Sequence, residues 1–373
     1  MKKYLLILAS LFLCAKLSVS QAVKHILLEE FSTAPCGFCP DGDLVAAQLI
    51  IDHPTVIWLT HHAGFGVDSM TVPESVPIAN AFTTFAPGAC IDRGDYPIPV
   101  YTMPPYIAIS RQKWDSVVVA HLNDPPVVDV SLTNNFDPVT RLFSCTVDAN
   151  FITSPPTGDL RLNLFLMEDS VVGFGPGYDQ TNYYNTTVGH PYYGAGNPIV
   201  GYVHHHVLRK VVTGTWGMTG VIPNSPVQGT TYSHTFTNIP IPSTWKEADM
   251  DVIAFVSYYN ASANLRQVVN AGHKVLLDSS QTTGLSPTLS KGERIMLYPN
   301  PASVRILIYA DLENENNKFT LTDFTGKIIE ATELEKGKRN YLLNVESLPN
   351  GIYFYRFISR NEILKSGKLA VIH

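Results

Sequence analysis

Cys36-Gly37-Phe38-Cys39-Pro40 constrains this chain more than any other stretch. Two cysteines separated by two residues close a small redox-active disulfide or supply half of a zinc site. The flanking sequence bears on the choice. His25-Ile26-Leu27-Leu28-Glu29-Glu30-Phe31 is a short apolar run that predicts a strand, and Ser32 to Pro35 predicts a turn. From Cys36 the period changes. Leu44, Ala47, Ile50 and Ile51 recur at helical spacing, and Asp41 and Asp43 fall early in that helix, where the dipole favours acids. A thiol at a helix N-terminus sees the positive end of the dipole and free N–H groups, which bring such pKa values to roughly 3.5–7.5 instead of about 8.5. A structural zinc needs about four N/S ligands, and the sequence has no second C-x2-C.

His53-Pro54 ends the helix, and Thr55 to Thr60 predicts a second strand. Pro73 to Phe85 reads as a second helix. Ala86-Pro87-Gly88-Ala89-Cys90-Ile91-Asp92-Arg93 reads as a turn feeding a strand, and Tyr106 to Leu122 carries a helical apolar face. This order resembles the thioredoxin arrangement. Glu29-Glu30-Phe31 followed by the CxxC is similar to its active-site strand and loop, and Phe85-Ala86-Pro87 to its cis-proline segment. The resemblance implies Cys36 as attacking thiolate, Cys39 as resolving thiol, Glu30 as a buried proton relay, and Pro87 as the cis residue aligning substrate backbone. Three departures stand out: Pro40 occupies a position where thioredoxin has a basic residue, Ala63 to Pro77 reads as an insertion, and no terminal hairpin is evident after Arg93.

Asp124-Pro125-Pro126 marks a domain boundary. Beyond it, Val127 to Leu132, Phe143 to Val147, Leu160 to Phe165, Val203 to Val212 and Val252 to Tyr258 alternate, with turn signals between them, which predicts an antiparallel β-sandwich. A long segment from Gly173 to Asn197 is rich in Tyr, Gly and Asn, the chemistry of adaptable binding surfaces. Its Gly173-Phe174-Gly175-Pro176-Gly177 is no nucleotide loop, because Pro interrupts it and no strand-to-helix context follows. The strand-CxxCP unit, Tyr202-Val203-His204-His205-His206-Val207-Leu208-Arg209 and Ala254-Phe255-Val256 together resemble the outer-membrane-protein-28-related family of Bacteroidetes over roughly residues 24–278.

Gln281 to Thr288 has linker composition. Four motifs follow in order: Leu297-Tyr298-Pro299-Asn300-Pro301, Leu321-Thr322-Asp323-Phe324-Thr325-Gly326-Lys327, Leu348-Pro349-Asn350-Gly351-Ile352-Tyr353 and Lys368-Leu369-Ala370-Val371. They resemble the type A C-terminal sorting domain of the type IX secretion system, a small Ig-like β-sandwich. The resemblance implies that residues 291–373 engage that secretion machinery and deliver the chain to the cell surface or outer membrane. The N-terminus agrees. Lys2 and Lys3 precede the apolar run Tyr4 to Ala15, and Ser18-Val19-Ser20 offers small residues for a signal peptidase.

The expected organisation is therefore a signal peptide (1–20), a thioredoxin-like α/β domain (23–123), a β-sandwich (126–278), a linker (279–290) and a sorting domain (291–373). Losing residues 1–20 removes Lys2, Lys3 and Lys16 and no acid, leaving 23 basic against 32 acidic residues. That balance, with no basic run, excludes a nucleic-acid partner. No other stretch is long and apolar enough for a membrane helix. The four cysteines outside the signal allow three pairings, and the close pair forms most easily. Cys90 and Cys145 are either a bridge or two buried thiols, with Cys90 also a conceivable resolving thiol.

The main expectation is thiol–disulfide exchange with protein thiol substrates and no bound cofactor. The alternative is a non-enzymatic surface binding protein whose CxxC is a structural disulfide. A third reading sets Cys36, Cys39, His61 and His62 around copper, since thiolate and imidazole suit that metal. His204-His205-His206 is expected to put His204 and His206 on one strand face, packed and hydrogen-bonded. No Ser-His-Asp order, zincin helix or carboxylate pair points to hydrolysis.

Overall fold

The computed structural model describes residues 22–277, 294–298, 300–302, 304–312, 317–336, 340–360 and 362–371. The expected signal peptide, the linker 279–290 and Pro299 lie outside them. In chain order, β1 (Ile26–Ser32), α1 (Cys39–Asp52), β2 (Val56–His62), α2 (Ser75–Phe82), β3 (Gly88–Ile91), β4 (Ile109–Ser110) and α3 (Trp114–His121) come first. Next are β5 (Val128–Asp137), β6 (Leu142–Phe151), β7 (Asp159–Glu168), β8 (Val171–Val172), β9 (Val203–His204), β10 (Val207–Val211), β11 (Thr231–Pro240), β12 (Met250–Tyr259) and β13 (Val268–Val275). The C-terminal unit holds β14 (Arg294–Tyr298), β15 (Arg305–Asp311), β16 (Asn317–Thr322), β17 (Ile328–Leu334), β18 (Asn340–Asn344), β19 (Gly351–Ser359) and β20 (Glu362–Val371).

The chain passes from helix to sandwich strand at Asp124-Pro125-Pro126, but the two halves share one sheet. Eight strands run in the order β13-β12-β7-β10-β2-β1-β3-β4. β1 and β2 pair in parallel from Ile26↔Val56 to Ser32↔His62, and β10 joins β2 in parallel at Val207↔Thr60. β12 (Val-Ile-Ala-Phe-Val) is apolar on both faces, and β7 becomes so from Leu164 to Met167, because both faces are covered there. On one face, Leu160, Leu162, Leu164, Val252, Ala254 and Val256 pack against the three-stranded sheet β11-β6-β5. That small sheet alternates inward Phe143, Cys145, Val147, Ala149 and Phe151 with outward polar residues. On the other face, Phe165 and Phe255 join Leu27, Phe31, Leu59 and Phe82 in a core that spans the expected boundary.

Two local expectations give way. Tyr106 to Leu122 is not one helix. Ile107, Ala108 and Ile109 are buried in succession and feed a strand that pairs with β3, and α3 begins at Trp114. The histidine run is not one regular strand, since the backbone turns at His206 (φ 53°) between β9 and β10.

A buried ion pair ties the shared core. Arg93 forks onto Glu29 with Nε–Oε2 at 2.6 Å and Nη2–Oε1 at 2.7 Å, and its guanidinium lies 5.3 Å from the Phe82 ring and 5.0 Å from that of Phe255. Burial by itself would raise Glu29, but Arg93 and His61 outweigh it and hold the carboxyl at about 2. Removing one partner of such a pair leaves an uncompensated buried charge. Arg93→Met is expected to cost about 3–5 kcal/mol at neutral pH, measured by urea denaturation. A loss under 1 kcal/mol would contradict this role for the pair.

Candidate functional site

The dithiol lies at the C-terminal end of β1, where the chain turns into α1. Cys36 and Cys39 form a disulfide with Cα atoms 5.4 Å apart. Cys39 opens α1 with Pro40 in the first turn, where the missing N–H costs nothing. Glu30 and Pro87 come together here. The Ala86–Pro87 bond is cis, and a Cβ placed on Gly42 would lie 2.6 Å from Pro87 Cβ and 2.8 Å from Glu30 Oε1. Gly42, unremarked in the sequence reading, is therefore what lets α1 approach both.

Glu30 is fully buried and Trp58 Nε1 donates to its Oε2 at 2.8 Å, with no ion pair to it among the described residues. Burial, reinforced by the neighbouring Asp43 carboxyl, pushes it well above the usual range. Asp43, one turn after Cys39 on α1, is raised by burial to about 6 while accepting a 2.5 Å hydrogen bond from the Tyr202 hydroxyl. Tyr202 in turn sits 3.1 Å from the Tyr192 hydroxyl. The sequence reading placed Asp43 at the helix start as a dipole acid and gave Tyr202 no role. The signal for their pairing is a long-range contact that no local pattern carries.

The Tyr-rich segment covers the disulfide. Gln180 Nε2 donates to the Cys36 carbonyl at 2.8 Å. Thr181 N–H donates to Ala34 O at 2.8 Å, and Tyr183 N–H to Gly37 O at 3.0 Å. The Tyr183 ring rests on Gly37, where a Cβ would meet it at 2.5 Å, and meets Phe38 edge-on at 5.0 Å. Cys36 is left 2% exposed and Cys39 not at all. The segment has its own small core of Tyr192, Ala195, Ile199 and Tyr202, against which Leu44 packs.

The four-residue copper set does not assemble. Adjacent strand residues point to opposite faces. His61 lies on the far face, with ring nitrogens 3.2 Å from Glu29 and 3.2 Å from Ser75. His62 is held 2.7 Å from Asp68, a residue of the expected insertion that also accepts the Ala34 N–H at 2.8 Å. No cluster of three or more His, Cys, Asp or Glu suited to a metal occurs among the described residues. The three histidines are packed. His204 bonds to the Tyr178 carbonyl at 2.7 Å and burial lowers it to about 3, while His205 sits 2.9 Å from Asp169. Cys90 and Cys145 are two buried free thiols. Cys90 belongs to the core on the face away from α1, so it is placed apart from the dithiol.

At the other end of the chain, seven strands among the described residues form a three-stranded and a four-stranded sheet around Phe319, Leu321, Tyr353, Phe357 and Leu369. Asp323 Oδ1 accepts the N–H groups of Thr325 and Lys327, and Gly326 supplies the positive φ of 85° for the turn into β17. Residues 296–372 match the family described as the secretion system C-terminal sorting domain. The C-terminal unit is a type IX secretion sorting domain. The sorting domain implies handling by that system and a cell-surface or extracellular location. No helix among the described residues is long and apolar enough to cross a membrane. No functionally curated protein matches the chain.

Among solved structures, the chain is similar to HBP35 of Porphyromonas gingivalis, at 17% identity over 94% of this chain and 99% of that one, with a TM-score of 0.53. That likeness is one of fold. A domain of the outer membrane lipoprotein Omp28 from the same organism aligns at 15% identity over 40% of this chain and 86% of its own, with a TM-score of 0.22.

The cover over Cys36 generates a test. Removing a hydrogen bond and an aromatic contact is worth about 2 kcal/mol together, or more than tenfold in the population of an uncovered state. Gln180→Ala with Tyr183→Ala is expected to speed reduction of the disulfide by dithiothreitol at least about tenfold, followed by thiol alkylation. An unchanged rate would mean that the segment does not control access.

Proposed function

We propose that the exported chain is a thioredoxin-like thiol–disulfide exchange protein that rests in its oxidised form. The observation that carries the reading is the convergence of three parts: a disulfide at the start of α1, a cis-proline against that helix, and a neutral buried carboxyl behind it. Exchange runs as follows. A thiolate of a dithiol substrate attacks Cys36 Sγ, the Cys36–Cys39 bond breaks, and a mixed disulfide forms. Cys39 leaves as a thiolate and takes a proton from the buried acid. The second substrate thiolate then attacks its own mixed-disulfide sulfur and releases Cys36, so the substrate leaves oxidised and the protein reduced. In this reading Pro87 aligns an extended substrate, and the proposed substrates are protein thiols.

A second reading is supported by a different observation. The near-complete burial of Cys36 beneath Gln180 and Tyr183 suits a disulfide that only staples the loop of a surface binding protein. Trapping separates the two. The Cys39→Ser chain, activated as a Cys36 mixed disulfide with 5-thio-2-nitrobenzoate, is expected to pass that disulfide to a reduced model peptide, and the wild-type protein to oxidise the same peptide in a way that Cys36→Ser abolishes. No transfer from the Cys39→Ser chain and no oxidation by the wild type leave the staple as the function.

The sorting domain gives an independent prediction. A chain lacking residues 291–373 is expected to stay in the periplasm while the full chain reaches the surface, measured by cell fractionation and surface protease accessibility. Surface display of the truncated chain would refute a role for this domain in export.

A further inference from the structure

Asp43 is a buried carboxyl that the exchange reading leaves without work. It stands four residues after Cys39 on α1, so the two side chains share one helical face, one above the other. Gly42, beside it, has no Cβ and admits Glu30 Oε1 to within 2.8 Å of the position a Cβ would take, which sets the Glu30 carboxyl against α1 at the residue before Asp43. Neither carboxyl has an ion pair among the described residues. The group that meets Asp43 is a phenol just after the Tyr-rich segment: Tyr202 donates to Oδ2 at 2.5 Å and is itself fully buried.

We infer that Asp43 and Tyr202 complete the acid of this dithiol: Glu30 and Asp43 hold one proton between them, Tyr202 fixes Asp43, and the shared proton is the one Cys39 receives when the disulfide opens. The delivery step rests on the exchange reading, whereas the shared proton does not. Two carboxyls buried together cannot both ionise cheaply, so one keeps its proton into the neutral range. The groups facing the pair from each packed element are Trp58 and His62 on β2, His205 and Tyr202 just after the Tyr-rich segment, and Arg111 before α3. The histidines, Arg111 and the Tyr202 hydrogen bond favour the ionised forms, while burial favours the protonated ones and wins for both acids, reinforced at Glu30 by the Asp43 carboxyl. Asp43 is thus a positioning residue acting through Glu30, and the chain just after the segment that covers Cys36 also tunes the proton behind Cys39.

The signs of the substitutions follow. Asp43→Asn removes the like charge and lowers the titration of Glu30. Tyr202→Phe removes a bond to the carboxylate and raises that of Asp43. The test is a carbon-13 carboxyl titration of the oxidised full chain by NMR, run beside the pH profile of dithiothreitol oxidation. In the wild type, two carboxyl signals are expected to shift together in two steps, the upper one above the ordinary carboxylate range. In Asp43→Asn the Glu30 signal is expected to titrate in a single step at lower pH, and the falling limb of the exchange profile to move down by about one pH unit or more. Tyr202→Phe is expected to move the upper step and the limb the other way. Thermal melts of both variants check that each is folded, and Tyr202→Phe keeps the test decisive if Asp43→Asn is not. Independent, ordinary titrations of the two carboxyls overturn the pair whatever the exchange assay gives. A coupled titration in a wild type that oxidises no dithiol overturns the exchange reading and delivery with it, and leaves the pair standing.

Discussion

The register of β10 on β2 helps decide where the chemistry of this chain collects. β2 runs beside β1, so their C-terminal ends meet at the turn that carries Cys36. In a parallel pair the residues before one strand lie toward the N-terminal end of its neighbour, so the stagger is what counts: β10 starts opposite Thr60, near the end of β2, and the backbone turns at His206 just ahead of it. Val207 pairs with Thr60, and Thr60 N–H donates to His206 O at 2.8 Å. The Tyr-rich segment, distant in sequence from the CxxC, is seated over the disulfide by its own backbone bonds, Thr181 N–H to Ala34 O and Tyr183 N–H to Gly37 O.

The same sheet separates two neighbouring acids into opposite states. Glu29 and Glu30 are adjacent on β1, equally buried, and face opposite sides. Glu29 meets Arg93 and His61 and is held ionised, which makes it a structural anchor between the two halves of the core. Glu30 meets an indole N–H, and burial, with the Asp43 carboxyl nearby, pushes its titration well above the usual range. Burial disfavours charge at both positions, and the direct ion pair with Arg93 reverses the outcome at Glu29, which the more distant Arg111 does not do at Glu30. An ion pair at Glu30 would fix the carboxylate and leave no proton to give. The lack of one there is what the acid role proposed for Glu30 rests on.

Much of this was legible in the sequence, because local signals carried it. The strand–CxxC–helix order, the alternation in β5 and β6, and the Asn-Gly and Thr-Gly turns of the C-terminal unit are each encoded within about ten residues, and each element formed. The partition at Asp124-Pro125-Pro126 read as a boundary between separate domains because composition changes there. Composition does not report strand order, and the second half adds β10, β7, β12 and β13 to the sheet begun by the first. Residues 106–110 failed as helix for a similar reason: burial of Ile107, Ala108 and Ile109 in succession is a property of the packed sheet, not of periodicity. Asp43 and Tyr202 are 159 residues apart, and nothing in the neighbourhood of either announces the other.

The address at the far end of the chain sharpens what the cover over Cys36 is for. A dithiol at the cell surface has no assured supply of electrons, so its disulfide persists between encounters. An exposed disulfide there would exchange with any small thiol, since attack needs only access to a sulfur and a leaving thiolate. The Gln180 and Tyr183 contacts close that access, and they do so with a segment that has its own core and is hydrogen-bonded to the backbone on both sides of Cys36. On the proposed exchange reading, a partner reaches Cys36 by displacing Tyr183 from Gly37, and the displaced chain runs on to Tyr202, which is bonded to Asp43. That reading would put access to the sulfur and the proton under one piece of chain, and would restrict exchange to partners large enough to move it.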